Sequence, residues 1–257
     1  MQERWAAGDS VKQTYDAYAP VYDEFNRGYM YERWTGRLLS RAEEAGIGGR
    51  RLLDVACGTG LSFISLLEQG WDVTGCDISS QMLERARERA EGRAELVEAD
   101  MRELPELGEF DLIWAINDPC NYLLEIEELE ATLEGMARNL APTGIALFDL
   151  NTLVTYRTFF SEEVVVEEAG KRLVWRGQLS PEEVTPGTFA EAHFDVPGQP
   201  GQAHVHRQRH FSEEQVRGAI DRAGLECVAL YGELDGELAP GLDENHHTKA
   251  VYLCRTK

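Results

Sequence analysis

From residue 51 onward, short apolar runs alternate with amphipathic stretches, and this rhythm limits the fold more than any other feature of the chain. RLLDVAC, WDVTGCDI, AELVEAD, FDLIWAIND and TGIALFDLN have the length and apolar content of strands. Between them lie LSFISLLEQG, ended by Gly70, SSQMLERARERAEG, with Ser79 or Ser80 as N-cap and Gly92 at its end, and LEATLEGMARNLAP. Repeated strand–helix–strand units cross over right-handedly, so the expected core is a parallel sheet with helices on both faces.

The flanks differ. Residues 10–48 read as helical, with Tyr15, Tyr18, Tyr22, Phe25, Tyr29, Tyr31 and Trp34 recurring largely at spacings of three and four. Such a stripe is either core or a lid whose tyrosines keep hydroxyls for a ligand. After Asn151 the helical alternation stops. VVVEE, RLVWRGQLS, GTFAEAHFDV and AHVHRQRHF, separated by turns with Gly and Pro, read as an antiparallel β insertion. A helix returns at SEEQVRGAIDRAG, where Ser212 and Gln215 are spaced as a capping box. Two strands follow, LECVALYGEL and KAVYLCRT, the second expected at the sheet edge. The 257 residues, 43 % hydrophobic, suit one domain. Its expected parts are a helical lid (1–48), a core (49–152), the insertion (153–210) and a closing segment (211–257).

Composition narrows the function. The net charge of −21, from 46 acidic and 25 basic residues, repels phosphate backbones and anionic lipid, so neither nucleic acid nor membrane is an expected partner. No run approaches the length of a membrane span, and MQERWAAGDS lacks a signal-peptide pattern, so the chain reads as cytoplasmic. Cys57, Cys76, Cys120, Cys227 and Cys254 form no CxxC pair and have no ligand spacing. They are expected to be reduced and mostly buried, with no metal.

The glycine turn GTG (58–60) follows the first strand, where an open α/β sheet binds ligands. A dinucleotide fingerprint would place a third glycine where Phe63 stands, and Asp54 precedes the turn. That carboxylate opposes a pyrophosphate and suits a cationic amino group. Asp77, closing the second strand, can accept from a ribose diol. At the third strand end, Asp100 can accept from an adenine amine while Met101 packs on the ring. Together these describe a nucleoside joined to an amino acid.

LLDVACGTG, VTGCDIS, VEADMRELP and FDLIWAINDPCNYL resemble the first four motifs of class I S-adenosylmethionine-dependent methyltransferases, over roughly residues 10–150. The segment Tyr15–Asp23 is similar to the YDxxAxxYD of small-molecule members, and the chain also looks like glycine and amino-sugar N-methyltransferases. The resemblance implies a Rossmann-like, doubly wound, mostly parallel seven-stranded sheet with the lid and insertion above. It implies S-adenosylmethionine as cofactor, S-adenosylhomocysteine as product, and no metal. Asp54, Ala56, Gly58 and Gly60 would surround the methionine part, Asp77 and Ile78 the ribose and adenine edge, and Asp100 and Met101 the adenine. Met82 and Arg102 would complete the adenine end, Asn117 would lie near the methyl donor, and Tyr15, Tyr22, Tyr31 or Trp34 would close over it.

A sulfonium methyl is already electrophilic, so positioning matters more than a protein nucleophile. His206, as base, and Tyr22 are the catalytic candidates. Two regions could hold the acceptor. In NDPCNY, Asp118, Asn121 and Tyr122 lie at the fourth strand's end, either in the site or in a capped turn. In AHVHRQRHF, alternation puts His204, His206 and Gln208 on one face and Arg207 and Arg209 on the other. That strand is either solvated or a pocket wall where Arg209 holds an acceptor carboxylate. The expected activity is methyl transfer to N or O of a small molecule, by a monomer or homodimer. A non-catalytic nucleoside-binding regulator and an NAD-dependent oxidoreductase are the alternatives.

Overall fold

The computed structural model describes residues 7–27, 29–168, 170–196 and 203–257. The ends and tips of the expected lid and insertion, residues 1–6 and 197–202, lie outside the described residues. The N-terminal segment is helical, in three pieces: α1 (Ala7–Tyr18), α2 (Tyr22–Phe25) and α3 (Tyr31–Glu44). Pro20, with no N–H to donate, separates the first two. The core then runs β1 (Arg51–Val55), α4 (Ile64–Glu68), β2 (Asp72–Asp77), α5 (Ser80–Ala90), β3 (Ala94–Glu98), β4 (Phe110–Ala115), α6 (Ile126–Arg138) and β5 (Leu140–Asn151). Ser79 caps α5 by accepting the amide N–H of Met82.

After β5 comes α7 (Leu153–Thr158), which the strand pattern did not announce, then the insertion strands β6 (Glu163–Glu168), β7 (Lys171–Gly177), β8 (Phe189–Asp195) and β9 (Ala203–Arg209). They pair in order as an antiparallel sheet, as expected. The closing segment is α8 (Glu213–Arg222), β10 (Leu225–Leu234), β11 (Glu237–Pro240) and β12 (Lys249–Thr256), with the Ser212–Gln215 capping box formed. Among the described residues no helix is long and apolar enough to cross a membrane.

The main sheet has the order β11-β10-β12-β5-β4-β1-β2-β3. Two expectations change. It has eight strands, because β11 pairs on β10 and extends the edge. And β12 lies inside, antiparallel to both β5 and β10. The physical reason is two-sided burial: Val251 and Leu253 enter the layer under α3, α4 and α5, while Ala250, Tyr252 and Cys254 enter the layer under α6 and α8. The same alternation sends Leu112 and Trp114 of β4 one way and Ile113 and Ala115 the other.

The insertion sheet packs against the lid. Tyr18 and Phe194 meet edge to face at 5.2 Å, Thr14 donates to the Val205 carbonyl at 3.3 Å, and Lys171 pairs with Glu24 at 2.8 Å. Alternation along β9 holds, but His204, His206 and Gln208 are all buried, so that face is not solvated.

Candidate cofactor and acceptor site

A cavity of about 970 Å³, open mouth included, lies over the carboxyl ends of β1 to β4, where strand order reverses between β1 and β4. Its floor is the turn after β1. Ala56 and Gly58 both have positive φ, 59° and 55°, and both line the cavity. This conformation turns the Gly58 N–H onto Asp77 Oδ2 at 2.9 Å, while Asp77 Oδ1 accepts from the Ser79 N–H at 2.8 Å. Each oxygen keeps a lone pair. Burial pushes the Asp77 carboxyl up to about 6 in spite of these donors. Ile78 and Met82 line the cavity beside it.

Asp54 departs from expectation. It does not line the cavity; its buried carboxylate accepts from the Ser62 hydroxyl at 2.5 Å, and Ser62 is the lining residue. Burial pushes Asp54 up to about 7, against that hydrogen bond, because a carboxyl shut inside the strand loses the solvation of its charged form. Gly60 also lies off the cavity. Its φ of +82° and the Phe63 ring, 2.6 Å from where a Cβ would sit, explain the glycine. Asp100, Met101 and Arg102 do line the cavity. Yet Arg102 spans Asp100, with Nε at 3.0 and 3.1 Å and Nη2 at 2.5 Å, while the Arg102 N–H takes a further site at 3.0 Å. Against the desolvation of its site, Arg102 holds Asp100 below its ordinary range. An adenine amine would have to displace part of that fork.

Of the lid aromatics, Tyr15, Tyr22 and Tyr31 line the cavity and Trp34 does not. Trp34 shares the inward stripe of α3 with Leu38, Leu39 and Ala42, in the core under the sheet. The aspartates that follow two of these tyrosines tie the lid down. Asp16 accepts from the Ser79 hydroxyl at 2.6 Å. Asp23 accepts from Thr59 Oγ1 and from Arg89 Nη2, both at 2.6 Å. Lys12 adds a bond to the Ile78 carbonyl at 3.0 Å. The YDxxAxxYD segment thus alternates cavity wall and anchor, an arrangement that helical spacing could have suggested for Asp16 and Asp23.

The expected acceptor residues separate. Tyr122 lines the cavity, accepts from the Tyr15 hydroxyl at 2.9 Å and contacts His206 Nδ1 at 2.5 Å. His206 itself is behind Tyr122 and is not a lining residue. Its ring stacks on Phe194 at 4.5 Å and lies 5.0 Å from Trp175. Burial, reinforced by His204, pulls it down to about 3, so it is neutral and a poor base. Asn121 is fully buried and structural: its amide donates to the Tyr156 hydroxyl and the Arg209 carbonyl, and it accepts from the Asn151 N–H. Arg209 points off the site, donating to the Leu124 carbonyl at 2.7 Å and lying over the Phe189 and Phe211 rings.

Asn117 and Asp118 both adopt positive φ, 70° and 60°, and the turn is braced from below: Asp149 accepts both amide N–Hs, at 2.8 and 2.6 Å. Asn117 lines the cavity and its buried Oδ1 has no hydrogen-bond partner. Asp118 is a network residue instead, accepting from Gln208 Nε2 at 2.7 Å and Lys249 Nζ at 2.8 Å. Lys249 also reaches Asp149 at 3.4 Å. Although burial opposes its charge, the two aspartates hold Lys249 protonated. A lysine opening an otherwise apolar strand was the signal for this cluster. Among the described residues no group of His, Cys, Asp and Glu is arranged to hold a metal.

A backbone-lined turn, a β2-terminal carboxylate with free lone pairs and an unpartnered Asn117 carbonyl fit a nucleoside ligand that also offers N–H donors. They sit at the strand ends of a domain of Rossmann-like form. Comparison with known proteins extends this. A methyltransferase-domain profile matches residues 52–144. The dTDP-3-amino-3,4,6-trideoxy-alpha-D-glucopyranose N,N-dimethyltransferase of Streptomyces venezuelae is 30 % identical over 227 residues, 85 % of this chain and 94 % of that one. Among solved structures, an S-adenosylmethionine-dependent methyltransferase of Clostridium acetobutylicum superposes with a TM-score of 0.76 at 19 % identity, over 94 % of this chain and 98 % of that one. A sugar N-methyltransferase of Streptoalloteichus is 26 % identical with a TM-score of 0.69, over 92 % and 93 %. The chain belongs to the S-adenosylmethionine-dependent methyltransferases.

Proposed function

We propose that the chain methylates the nitrogen of a small amine, with lid, core, insertion and closing segment working as one domain. The carrying observation is the acceptor end of the cavity. It presents the hydroxyls of Tyr15, Tyr22, Tyr31 and Tyr122 and the Asn117 carbonyl. Among the described residues that line it the only Lys or Arg is Arg102, which is held by Asp100 and Glu128. Such an end can accept amine N–H groups but offers no free cation to a carboxylate or phosphate. The names of the sugar N,N-dimethyltransferase relatives support an amino group on a deoxy-sugar acceptor.

Asp77 and the Gly58 turn would hold the ribose, Ile78, Met82, Asp100, Met101 and Arg102 the adenine, and Ser62 and Asn117 the amino-acid end. When bound, S-adenosylmethionine supplies an electrophilic methyl carbon, so the chain needs no nucleophile. What the chain contributes is alignment and exclusion of water by the anchored lid. The tyrosine faces stabilise the ammonium that forms on the acceptor. His206 is a positioning residue that fixes the Tyr122 hydroxyl, and Tyr22, bonded to Tyr31 at 3.0 Å, orients the amine. The acceptor therefore enters as the neutral amine, becomes an ammonium when it gains the methyl group, and that ammonium gives up its proton to solvent after release.

We place this activity in the cytoplasm, in a monomer or homodimer without nucleic-acid or membrane partners. The charge of −21 and the free cysteines support that reading. The test is turnover of amino sugars, simple amines, alcohols and carboxylates with S-adenosylmethionine, reading S-adenosylhomocysteine release and the methylated product by mass. Amine products are expected. O-methyl products alone would sink the amine assignment, and thermal stabilisation by NAD but not by S-adenosylmethionine would sink the cofactor assignment.

A further inference from the structure

Far from the cavity, β10 and β12 set two cysteines directly opposite each other. Cys227 and Cys254 are register partners in the antiparallel ladder, with a bulge following Cys227. Opposed residues in such a ladder have Cα atoms about 4.5 or 5.5 Å apart, and both values fall within the disulfide range. Both side chains are on the α8 face, Cys254 fully buried and Cys227 partly exposed. The Cys227 thiol donates to the Ala229 carbonyl at 3.4 Å, and Cys254 stands opposite it across the ladder. Arg217 of α8, paired with Glu213 at 2.7 Å, lies against Cys227.

We propose that Cys227 and Cys254 are a peroxide-oxidisable thiol pair that closes to a disulfide across β10 and β12. Hydrogen bonding with Cys254, with Arg217 beside it, pulls the Cys227 thiol down to about 7 against its partial burial. Cys227 is thus the attacking thiolate and the buried Cys254 the resolving thiol. In the first step the Cys227 sulfur bonds to one peroxide oxygen, the O–O bond breaks, and the departing hydroxide takes a proton to become water. In the second, the Cys254 sulfur bonds to the Cys227 sulfur, the S–O bond breaks, and the hydroxide leaves with the Cys254 proton as a second water. Two thiols lose two electrons and one hydroperoxide is reduced. Cys57, Cys76 and Cys120 are internal controls, since all three are buried and burial pushes each thiol up.

The experiment treats the native full chain with hydrogen peroxide, then counts thiols after denaturation and maps peptides. The wild type is expected to lose two of its five thiols, to yield a Cys227–Cys254 linked peptide, and to regain both thiols with dithiothreitol. Cys227→Ser is expected to keep all its remaining thiols under the same treatment. Loss of one thiol with Cys227 as sulfinic acid, retention of all five, or equal thiol loss in Cys227→Ser would each overturn the proposal. Because the readout is chemical, it stands apart from the identity of the methyl acceptor.

Discussion

Asp77 holds two backbone N–Hs and keeps lone pairs for a ligand, so its proton decides when the site is ready. With Asp77 raised to about 6, hydroxyls donating to its carboxylate require the ionised form. Affinity for S-adenosylmethionine should therefore be level above pH 6 and weaken as pH falls through about 6, approaching tenfold per unit. Asp77→Ala should weaken binding by about 1.5–3 kcal/mol, on the order of ten- to a hundredfold. Calorimetry across pH reads both, and a flat wild-type profile refutes the ribose assignment. His206 behaves oppositely. Held neutral near 3, it gives no titration between pH 5.5 and 8. His206→Ala should leave cofactor affinity alone and lower kcat about tenfold, the worth of one lost hydrogen bond to Tyr122. An acidic limb in the wild-type rate profile that vanishes in His206→Ala would show instead that His206 is the base.

Elements carry the charge network. Lys249, at the start of β12, balances Asp118 after β4 and Asp149 of β5. Lys249→Met leaves the buried Asp149 carboxylate uncompensated and should destabilise by about 3–5 kcal/mol, measured by urea unfolding. Adding Asp149→Asn should recover part of that loss; strict additivity would show the pair is not coupled. The same scale shows what was legible beforehand. The strand–helix rhythm exposed every parallel strand, because each is a short apolar run between amphipathic segments. The positions of β11 and β12 were not legible, since pairing partners are chosen across the chain. The cavity lining was readable at Ala56, Gly58, Asp77 and Asp100, which follow or close the first three strands. Asp54 misled because an acid in a strand motif looks the same whether it meets the ligand or the hydroxyl beneath it. Trp34 misled because α3 places one aromatic outward and the next inward, and spacing alone could not say which. Histidine alternation on β9 was right in register, but only the closed lid showed the His206 ring behind Tyr122.

For the molecule as a whole, 46 acidic against 25 basic residues make self-repulsion a constant opponent of compaction. Raising salt from about 0.05 M to about 0.5 M should raise Tm, since screening shortens the reach of that field. A Tm unchanged or lowered by salt would show that paired charges such as Lys249–Asp118 outweigh it. The interior place of β12 also sets an order in time. While the ribosome is still making the chain, β5 and β10 cannot close on one another, and Asp149 and Asp118 have no counter-charge until residues 249–256 clear the exit tunnel. The cavity floor under Asn117 is braced by that same Asp149. Cavity support and charge balance are therefore completed together, when β12 seats between β5 and β10.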